Sequence, residues 1–225
     1  MITKITTIAG TVLLVALGLE LTASQKAGGD AKNAPAWKSL FDGKSLKGWK
    51  EAKFGGEGEV AVENGVIILE QGNDMTGVTY DKADFPKMDY EVTLEGKRLK
   101  GSDFFCTTTF PVGADHCSLV MGGWGGSVVG LSSIDGHDAS ENSTSTIQHF
   151  KDDQWYRVRI RVTKNQIAAW IDDKQVVDQE TKERMISVRA ECDLCKPFGI
   201  ATWRTTGAVR EIRVRALTGE EIKGK

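Results

Sequence analysis

The sequence predicts an all-β protein, an antiparallel β-sandwich, chiefly because apolar and charged residues alternate along three segments. The alternation covers residues 90–95, 157–162 and 211–215. A period of two residues is typical of strands that bury one face. No segment carries a long apolar stripe at the helical spacing of 3.6 residues. Many short strands separated by turn sequences predict two packed antiparallel sheets.

Turn sequences connect several of the predicted strands. Such polar pairs and triplets with Asn, Asp or Gly between apolar runs are typical of β-hairpins. The turns are Glu63-Asn64-Gly65 between runs 60–62 and 66–69, Lys164-Asn165 between 157–162 and 166–171, and Asp172-Asp173 between 166–171 and 175–177.

The N-terminal segment predicts export. Lys4 supplies a positive charge, residues 8–19 are apolar or small, and Thr22-Ala23-Ser24 offers small residues suited to cleavage. About twelve apolar residues are too few to span a bilayer, so residues 1–24 are interpreted as a cleavable signal peptide. An uncleaved anchor is the alternative. We expect a secreted or periplasmic protein.

The rest of the chain divides into a polar linker (25–36), a sandwich domain (37–217) and a C-terminal tail (218–225). The linker lacks large apolar groups. A net charge of −2 and a pI near 6.0 give no electrostatic basis for binding nucleic acid or anionic membranes. We therefore expect no nucleic-acid partner, and no membrane partner once the signal is removed.

Four cysteines follow the linker, and an even number in an oxidising compartment favours disulfides. We predict that Cys106 pairs with Cys117 across a turn at Phe110-Pro111-Val112-Gly113, and that Cys192 pairs with Cys195. Zinc bound by the Cys-x-x-Cys sequence and free thiols are the alternatives.

Segment 40–49 has the sequence Leu-Phe-Asp-Gly-Lys-Ser-Leu-Lys-Gly-Trp, and later segments extend the pattern that it begins. These are Asp89-Tyr90-Glu91-Val92, the run from Trp155 to Asp172, Phe198-Gly199-Ile200 and residues 209–214. Together they resemble the 3-keto-disaccharide hydrolase family, also described as 3-keto-glucoside-1,2-lyase and 3-keto-2-hydroxy-glucal hydratase. The resemblance covers about residues 37–217. It implies a concanavalin A-like lectin/glucanase jelly roll that acts on 3-keto-glycosides.

The resemblance implies elimination followed by hydration, but polar groups of the family are missing from this chain at three places. Ala169-Trp170-Ile171-Asp172-Asp173 stands where many members have His-Trp-x-Asn-Gly. Ala201 and Trp203 stand at the positions of a Gln and a His, and the strand at His116–Val120 lacks the family's carboxylate. A non-catalytic carbohydrate-binding module is therefore the competing interpretation, and a structural envelope protein is a third.

Residues 101–150 hold most of the candidate site residues. Gly122-Gly123-Trp124-Gly125-Gly126 flanks one aromatic residue with four glycines, a pattern that suits either a sugar-stacking platform or a bulged strand pair. The loop 132–143 is densely polar. It predicts a sugar-hydroxyl site, a calcium site of hard oxygen ligands or a solvated loop.

An elimination requires a base, a cation or hydrogen-bond donor for the enolate oxygen, and a proton donor. The candidates are His116 or Asp103 as base, Lys196 or Arg204 for the oxygen, and Glu141 or Asp135 as proton donor; the candidate substrate-binding residues are Trp124, Trp203, Asp138 and Asn142. The expected partner is a carbohydrate. No cofactor is expected, although calcium or another divalent cation remains open. Arg157, Arg159 and Arg161 predict either a cationic groove or a solvated ladder of cross-strand ion pairs.

Overall fold

The computed structural model describes residues 35–223, which form fifteen strands and very little helix. The strands are β1 Lys38–Ser39, β2 Trp49–Glu51, β3 Val60–Glu63, β4 Val66–Leu69, β5 Met75–Tyr80, β6 Tyr90–Lys100, β7 Thr107–Val112, β8 Asp115–Gly122, β9 Val128–Ser132, β10 Thr146–Ile147, β11 Tyr156–Thr163, β12 Gln166–Ile171, β13 Lys174–Glu180, β14 Gly199–Trp203 and β15 Thr206–Ala216. Helical turns occur at Gly123–Gly126, at Ala190–Cys195 as a 3-10 helix, and at Gly219–Lys223.

The strands form two antiparallel sheets. Sheet 1 has the order β13-β12-β11-β6-β15-β4-β3, and β1 also pairs with β15. Sheet 2 has the order β10-β9-β8-β7-β14-β5-β2. The predicted antiparallel sandwich is thus confirmed, including the absence of any long helix among the described residues. β14 and β15 follow each other in sequence but lie in different sheets, so the short connection between them joins the two layers.

The predicted hairpins are present in the expected register. Val62 pairs with Ile67 across a turn in which Asn64 and Gly65 both have positive φ, 49° and 83°. Such a turn matches the right-handed twist of its strands. β11 pairs with β12, and β12 with β13, across the other two predicted turns.

The core lies between the sheets and is rich in aromatic rings. Phe85 stacks on Phe198 with ring centroids 4.3 Å apart, and Trp49 meets Tyr80 edge to face at 5.3 Å. The indole nitrogen of Trp49 donates a hydrogen bond of 2.8 Å to the Leu40 carbonyl. The 40–49 segment therefore closes on itself, which gives its Phe-Asp-Gly and Gly-Trp ends a structural role.

The predicted disulfides are wrong in this structure, because all four cysteines are free and buried. Cys117 pairs with Phe110, since the tight turn is at Gly113-Ala114 rather than at Pro111-Val112. Gly113 has φ 68°, the positive angle that a two-residue hairpin accepts at its first position. Cys106 instead contacts Met121, with 3.7 Å between their sulfurs. Cys192 and Cys195 remain separate thiols in the 3-10 helix.

The burial of the four cysteine side chains is consistent with protonated thiols, because burial disfavours the charged thiolate. Loss of solvent raises the pKa of Cys192 to about 11 and that of Cys117 to about 12. The pKa values of Cys106 and Cys195 are raised by burial as well.

The predicted signal peptide and residues 25–34 of the predicted linker lie outside the described residues. Within residues 35–223, no helix is long and apolar enough to cross a membrane. The predicted C-terminal tail contains a short helix, Gly219–Lys223. Its Glu221 side chain accepts two hydrogen bonds from Arg215, at 2.7 and 2.8 Å. This carboxylate fastens the helix to sheet 1.

Candidate functional site

A groove of about 210 Å³ lies on the face of sheet 2 that points away from the core. Strands β7, β8, β9 and β14 supply its floor, and loops supply its walls. The residues that line it are Asp103, Phe104, Thr107, Val120, Trp124, Ser132, Arg189, Glu191, Cys192 and Trp203. Most of this surface is apolar or aromatic, with a few charged groups at the rim, as is typical of small-molecule sites.

The floor contains two hydroxyls without partners. Thr107 is 1% exposed and Ser132 is 2% exposed, and among the described residues neither side-chain oxygen has a hydrogen-bond partner. An unpaired buried hydroxyl costs about 1–3 kcal/mol, so native proteins retain few of them. Two of the four such side-chain atoms among the described residues lie in this one groove; the others belong to Asp89 and Gln148.

The Gly122–Gly126 turn holds Trp124 as an exposed aromatic wall. Trp124 has φ 49° and ψ 52°, a left-handed conformation, and it is 43% exposed; Gly122, Gly125 and Gly126 of the same turn also have positive φ. A Cβ on Gly126 would lie 2.7 Å from the Ser102 carbonyl oxygen, so a side chain there is excluded. The Asp103 carboxylate accepts a hydrogen bond of 2.9 Å from the Gly125 amide and thereby fixes the turn.

Residues 185–196, which we call the strap, cross the outer face of sheet 2. Ser187 exchanges backbone hydrogen bonds with Ser133 at 2.6 and 3.1 Å. Further along, Cys192 and Cys195 pack against Ala201 of the sheet. The Thr79 hydroxyl also donates to the Leu194 carbonyl at 2.7 Å. The strap therefore covers the middle of the face and forms one wall of the groove.

Arg189 of the strap organises the polar rim. Its guanidinium donates to Asp138 at 2.8 Å and to Glu191 at 2.8 and 3.3 Å, and it lies 5.6 Å from the centre of the Trp124 ring. The hydrogen bond with Glu191 raises the pKa of Arg189, and the same bond lowers the pKa of Glu191. The Glu191 carboxyl is thus ionised at neutral pH.

The structure brings three of the sequence-predicted residues to the groove and places a fourth behind it. Asp103, Trp124 and Trp203 line the groove, and Asp138 contacts it through Arg189. Trp203 lies 6.3 Å from Phe104 between ring centroids, and the two rings form an aromatic wall that packs against the cluster of Cys192 and Cys195.

The predicted loop 132–143 holds its own shape and anchors the strap. The Asn142 side-chain amide donates to three carbonyls of the loop region at 2.7 to 3.1 Å. Asp135 accepts hydrogen bonds from Arg184 at 2.7 Å and from the Met185 amide at 2.8 Å. Glu141 faces His137 across 3.9 Å. Asp135, Glu141 and Asn142 do not line the groove.

The remaining predicted catalytic residues lie elsewhere. His116 is four residues before Val120 on β8, about 13 Å away at about 3.3 Å per residue. Its pKa is lowered by burial and by the nearby charge of Lys196. Lys196 pairs with Asp193 at 2.6 Å, and Arg204 pairs with Asp74 at 2.7 Å. None of these three lines the groove.

Sequence reasoning missed the charged pair of the strap and the hydroxyl of Thr107. Arg189 and Glu191 stand in a segment with no alternation, and their partner Asp138 is about fifty residues away in sequence. The sequence does carry one signal: after the regular strand β13, residues 181–197 no longer alternate between apolar and polar residues. Thr107 stands in a run of three threonines that predicts only a strand.

The oxygen ligands considered for calcium are occupied by protein groups. Asp135 and Asp138 are each bound by an arginine. Within residues 35–223, no group of three or more His, Cys, Asp or Glu side chains is arranged to hold a metal ion.

The arginine ladder lies on the opposite face of the molecule, outside sheet 1. Glu91 is 3% exposed and accepts hydrogen bonds from Arg159, Arg161 and Arg215 at 2.8 to 3.2 Å. Arg159 also stacks over Trp170, with 3.7 Å from its guanidinium carbon to the ring centre. The ladder therefore forms cross-strand ion pairs, which is one of the two predicted arrangements.

Sequence comparison identifies a matching domain model. A family model described as "3-keto-alpha-glucoside-1,2-lyase-like domain" matches residues 36–215, essentially the whole described sandwich. A search of curated proteins finds no match to the chain.

Solved structures with a similar fold share little sequence with the chain. A protein of unknown function with a galectin-like fold from Bacillus subtilis has a TM-score of 0.55 at 10% identity and covers 80% of this chain and 94% of its own. A candidate glycosyl hydrolase from Parabacteroides distasonis ATCC 8503 has a TM-score of 0.52 at 11% identity, with coverages of 81% and 94%. The Crh5 transglycosylase has a TM-score of 0.53 at 11% identity, with coverages of 83% and 85%. These likenesses concern the fold.

Proposed function

Because the chain belongs to the 3-keto-alpha-glucoside-1,2-lyase-like domain family, we propose that it cleaves 3-keto-glycosides in the groove of sheet 2. The observation that carries the proposal is the composition of the groove. Aromatic walls from Trp124, Trp203 and Phe104 surround two carboxylates, Asp103 and Glu191, and one guanidinium. Aromatic faces suit the apolar face of a sugar ring, and the charged groups suit proton transfer next to a ketone.

Asp103 is the base in this proposal. A ketone at C3 acidifies the proton at C2, which Asp103 removes. The electron pair of the broken C2–H bond forms a C1–C2 double bond as the C1–O bond breaks. The leaving oxygen takes a proton, which Asp103 can return. Two backbone amides, of Phe104 and Gly125, donate to the Asp103 carboxylate and hold it in place. Its remaining lone pairs accept the proton.

Arg189 stabilises the negative charge that develops on the C3 oxygen. It is the cation among the residues that line the groove, and Asp138 and Glu191 fix its orientation. A preorganised cation at a developing enolate is usually the largest electrostatic contribution to such a step. Addition of water across the C1–C2 double bond then gives the free 3-keto sugar, so the net reaction is hydrolysis.

We place this activity outside the cytoplasm, on the basis of the apolar segment at residues 8–19 and the small residues that follow it. Detection of the mature chain in a periplasmic or culture-medium fraction of the producing cell would test this. Retention of the full-length chain in the cytoplasm would contradict it.

A non-catalytic carbohydrate-binding module is the second candidate, and one observation favours it. Three of the five N–H groups of Arg189 already donate to Asp138 and Glu191, and Ala201 and Trp203 stand where the family's Gln and His are expected. A groove of this kind still offers stacking surfaces for a sugar without a free catalytic cation.

The decisive experiment follows release of the aglycone from a 3-keto-glucoside with a nitrophenyl leaving group. We expect turnover by the parent chain and a decrease of about 100-fold or more in Asp103→Asn, since general-base catalysis contributes about 10²–10⁴-fold. Asp81→Asn is the matched control, because Asp81 is an exposed carboxylate paired with Lys50. The control is expected to keep the parent rate.

Binding of the same substrate separates the outcomes. Retained binding with lost turnover in Asp103→Asn supports the base role. Loss of binding as well would mean that Asp103 acts by anchoring the Trp124 turn. If the parent chain binds the sugar but releases no aglycone, the binding module is correct and the lyase proposal fails.

A further inference from the structure

The charges around the groove do not balance. Three carboxylates, Asp103, Glu191 and Asp138, stand at or directly behind its rim, against the single guanidinium of Arg189. Two further cations lie nearby and are bound by other groups: Arg204 by Asp74 and the Asn73 carbonyl, and Arg98, beside Gly126, by Asp152. A bound ligand therefore meets a local excess of two negative charges.

Arg189 uses three of its five N–H groups within the protein, which leaves one on each terminal nitrogen for the single oxygen of an enolate but not the side-on edge that a second carboxylate would need. One terminal nitrogen donates to Asp138, while the other and the Nε atom donate to Glu191. Bidentate geometry of this kind is the one that arginine would otherwise use to bind a uronate or a sulfate ester. An anionic sugar that used the side-on edge of Arg189 would have to displace Glu191 and leave that carboxylate beside the ligand.

We infer that the groove selects its sugar by charge: it accepts neutral rings, favours rings that carry a protonated amino group, and rejects rings with a carboxylate, sulfate or phosphate. The inference rests on the proposed function only for the location of the sugar site. A ring stacked on Trp124 lies within reach of Glu191 and Asp103, whose carboxylates attract an ammonium group and repel an anion.

A matched series of small glycosides tests this inference without depending on turnover. Methyl glucoside, methyl glucosaminide and methyl glucuronide differ in one substituent and in charge, and Trp124 near the ligand provides a fluorescence signal for titration. At low salt and pH near 6, where the amine is protonated, we expect the glucosaminide to bind about tenfold tighter than the glucuronide. Raising NaCl to about 0.5 M should narrow the difference.

Variants identify the carboxylate responsible. Glu191→Gln should bring the affinities of the three glycosides within about threefold of one another. Asp81→Asn removes the same charge at a remote exposed site and should leave the order unchanged. Equal or tighter binding of the glucuronide by the parent chain, or an unchanged order in Glu191→Gln, overturns the inference.

The outcome of the binding series is independent of the outcome of the cleavage assay, so failure of charge selection can be distinguished from failure of the proposed function. A chain that releases no aglycone but binds the series in the expected order retains charge selection and loses the lyase proposal. A chain that cleaves 3-keto-glycosides but binds the glucuronide as tightly as the glucosaminide retains the lyase proposal and loses charge selection. If none of the three binds and titration with a 3-keto-glycoside also gives no signal, both fail.

Discussion

The two outer faces of the sandwich differ in whether their buried polar groups have hydrogen-bond partners. Outside sheet 1, Glu91 and three arginines bind one another, and Arg159 and Trp170 stack. Outside sheet 2, Thr107 and Ser132 are buried without partners and Trp124 is exposed in a strained turn. A face that completes its own interactions stabilises the fold, whereas a face that leaves them open is available to a ligand.

Removal of Glu91 should have the largest effect and should be confined to stability. Glu91→Ala leaves three arginine side chains without their shared carboxylate, and breaking a buried ion pair on one side costs about 3–5 kcal/mol. We expect the free energy of unfolding in urea to fall by about 3 kcal/mol. Sugar binding in the groove should not change.

Glu95→Ala is the control for this comparison, because Glu95 pairs with Arg210 where both side chains are partly exposed. Exposed pairs contribute about 1 kcal/mol or less. If Glu95→Ala and Glu91→Ala destabilise equally, the network around Glu91 is no more important than a surface pair.

Removal of Trp124 should have the opposite effect: sugar binding is weakened and the stability of the fold is retained. Trp124→Ala deletes an exposed ring, so we expect little change in stability. Sugar affinity should fall by about 2 kcal/mol, the effect of removing a central aromatic contact. Isothermal titration with the parent ligand measures this. Trp170→Ala, on the other face, should bind the ligand like the parent, and a matching loss there would mean that the sugar site is on sheet 1.

The hydroxyl without a partner at Thr107 predicts a smaller and unusual effect. Thr107→Val keeps the shape of the side chain and removes an unsatisfied polar atom, so we expect unfolding to cost about 1 kcal/mol more. Thr109→Val, two residues further along β7, should lose about 1 kcal/mol, because the Thr109 hydroxyl is bonded to Ser118 at 2.8 Å. Urea titrations in which both variants lose stability would contradict the assignment.

The smallest expected effect is the pH dependence of stability that arises from Glu221, which is bound to Arg215 of sheet 1. The hydrogen bond with Arg215 lowers the pKa of Glu221 from 4.5 to about 2. A lowered carboxyl pKa stabilises the fold above pH 4.5, and this contribution is lost as the pH falls through 4.5 toward about 2. Glu221→Gln should therefore be about 1 kcal/mol less stable than the parent at pH 7, after allowance for its exposure. The difference should shrink below pH 4.5, and a constant gap in thermal denaturation at pH 7 and pH 3.5 would refute the assignment.

The sheets could be predicted from sequence because their signals are local. Alternation around Val92 and Ile160 and the turn at Asn64-Gly65 depend on neighbouring residues, and these predictions agree with the structure. The cysteine pairing failed for a local reason too. A shift of the turn by two residues, from Pro111-Val112 to Gly113-Ala114, moves the residue opposite Cys117 from 106 to 110.

The candidate site was only partly predictable, because its geometry depends on distant parts of the chain. Trp124 and Asp103 stand in an irregular, glycine-rich region that sequence singles out. Arg189 reaches the groove because the strap is paired with Ser133 and held by Asp138, neither of which is signalled by the residues around it. His116 failed to reach the groove because four residues of extended strand separate it from Val120.

The placement of β14 and β15 has a consequence for how the protein folds. β14 lies between β7 and β5 in sheet 2, and β15 lies between β6 and β4 in sheet 1. Neither sheet is continuous until residues 199–216 are in place, so the chain cannot reach its native topology before its last two strands are available. Contacts of such high sequence separation make folding slow and keep the incomplete chain open. Formation of both sheets therefore depends on the last two strands of the domain.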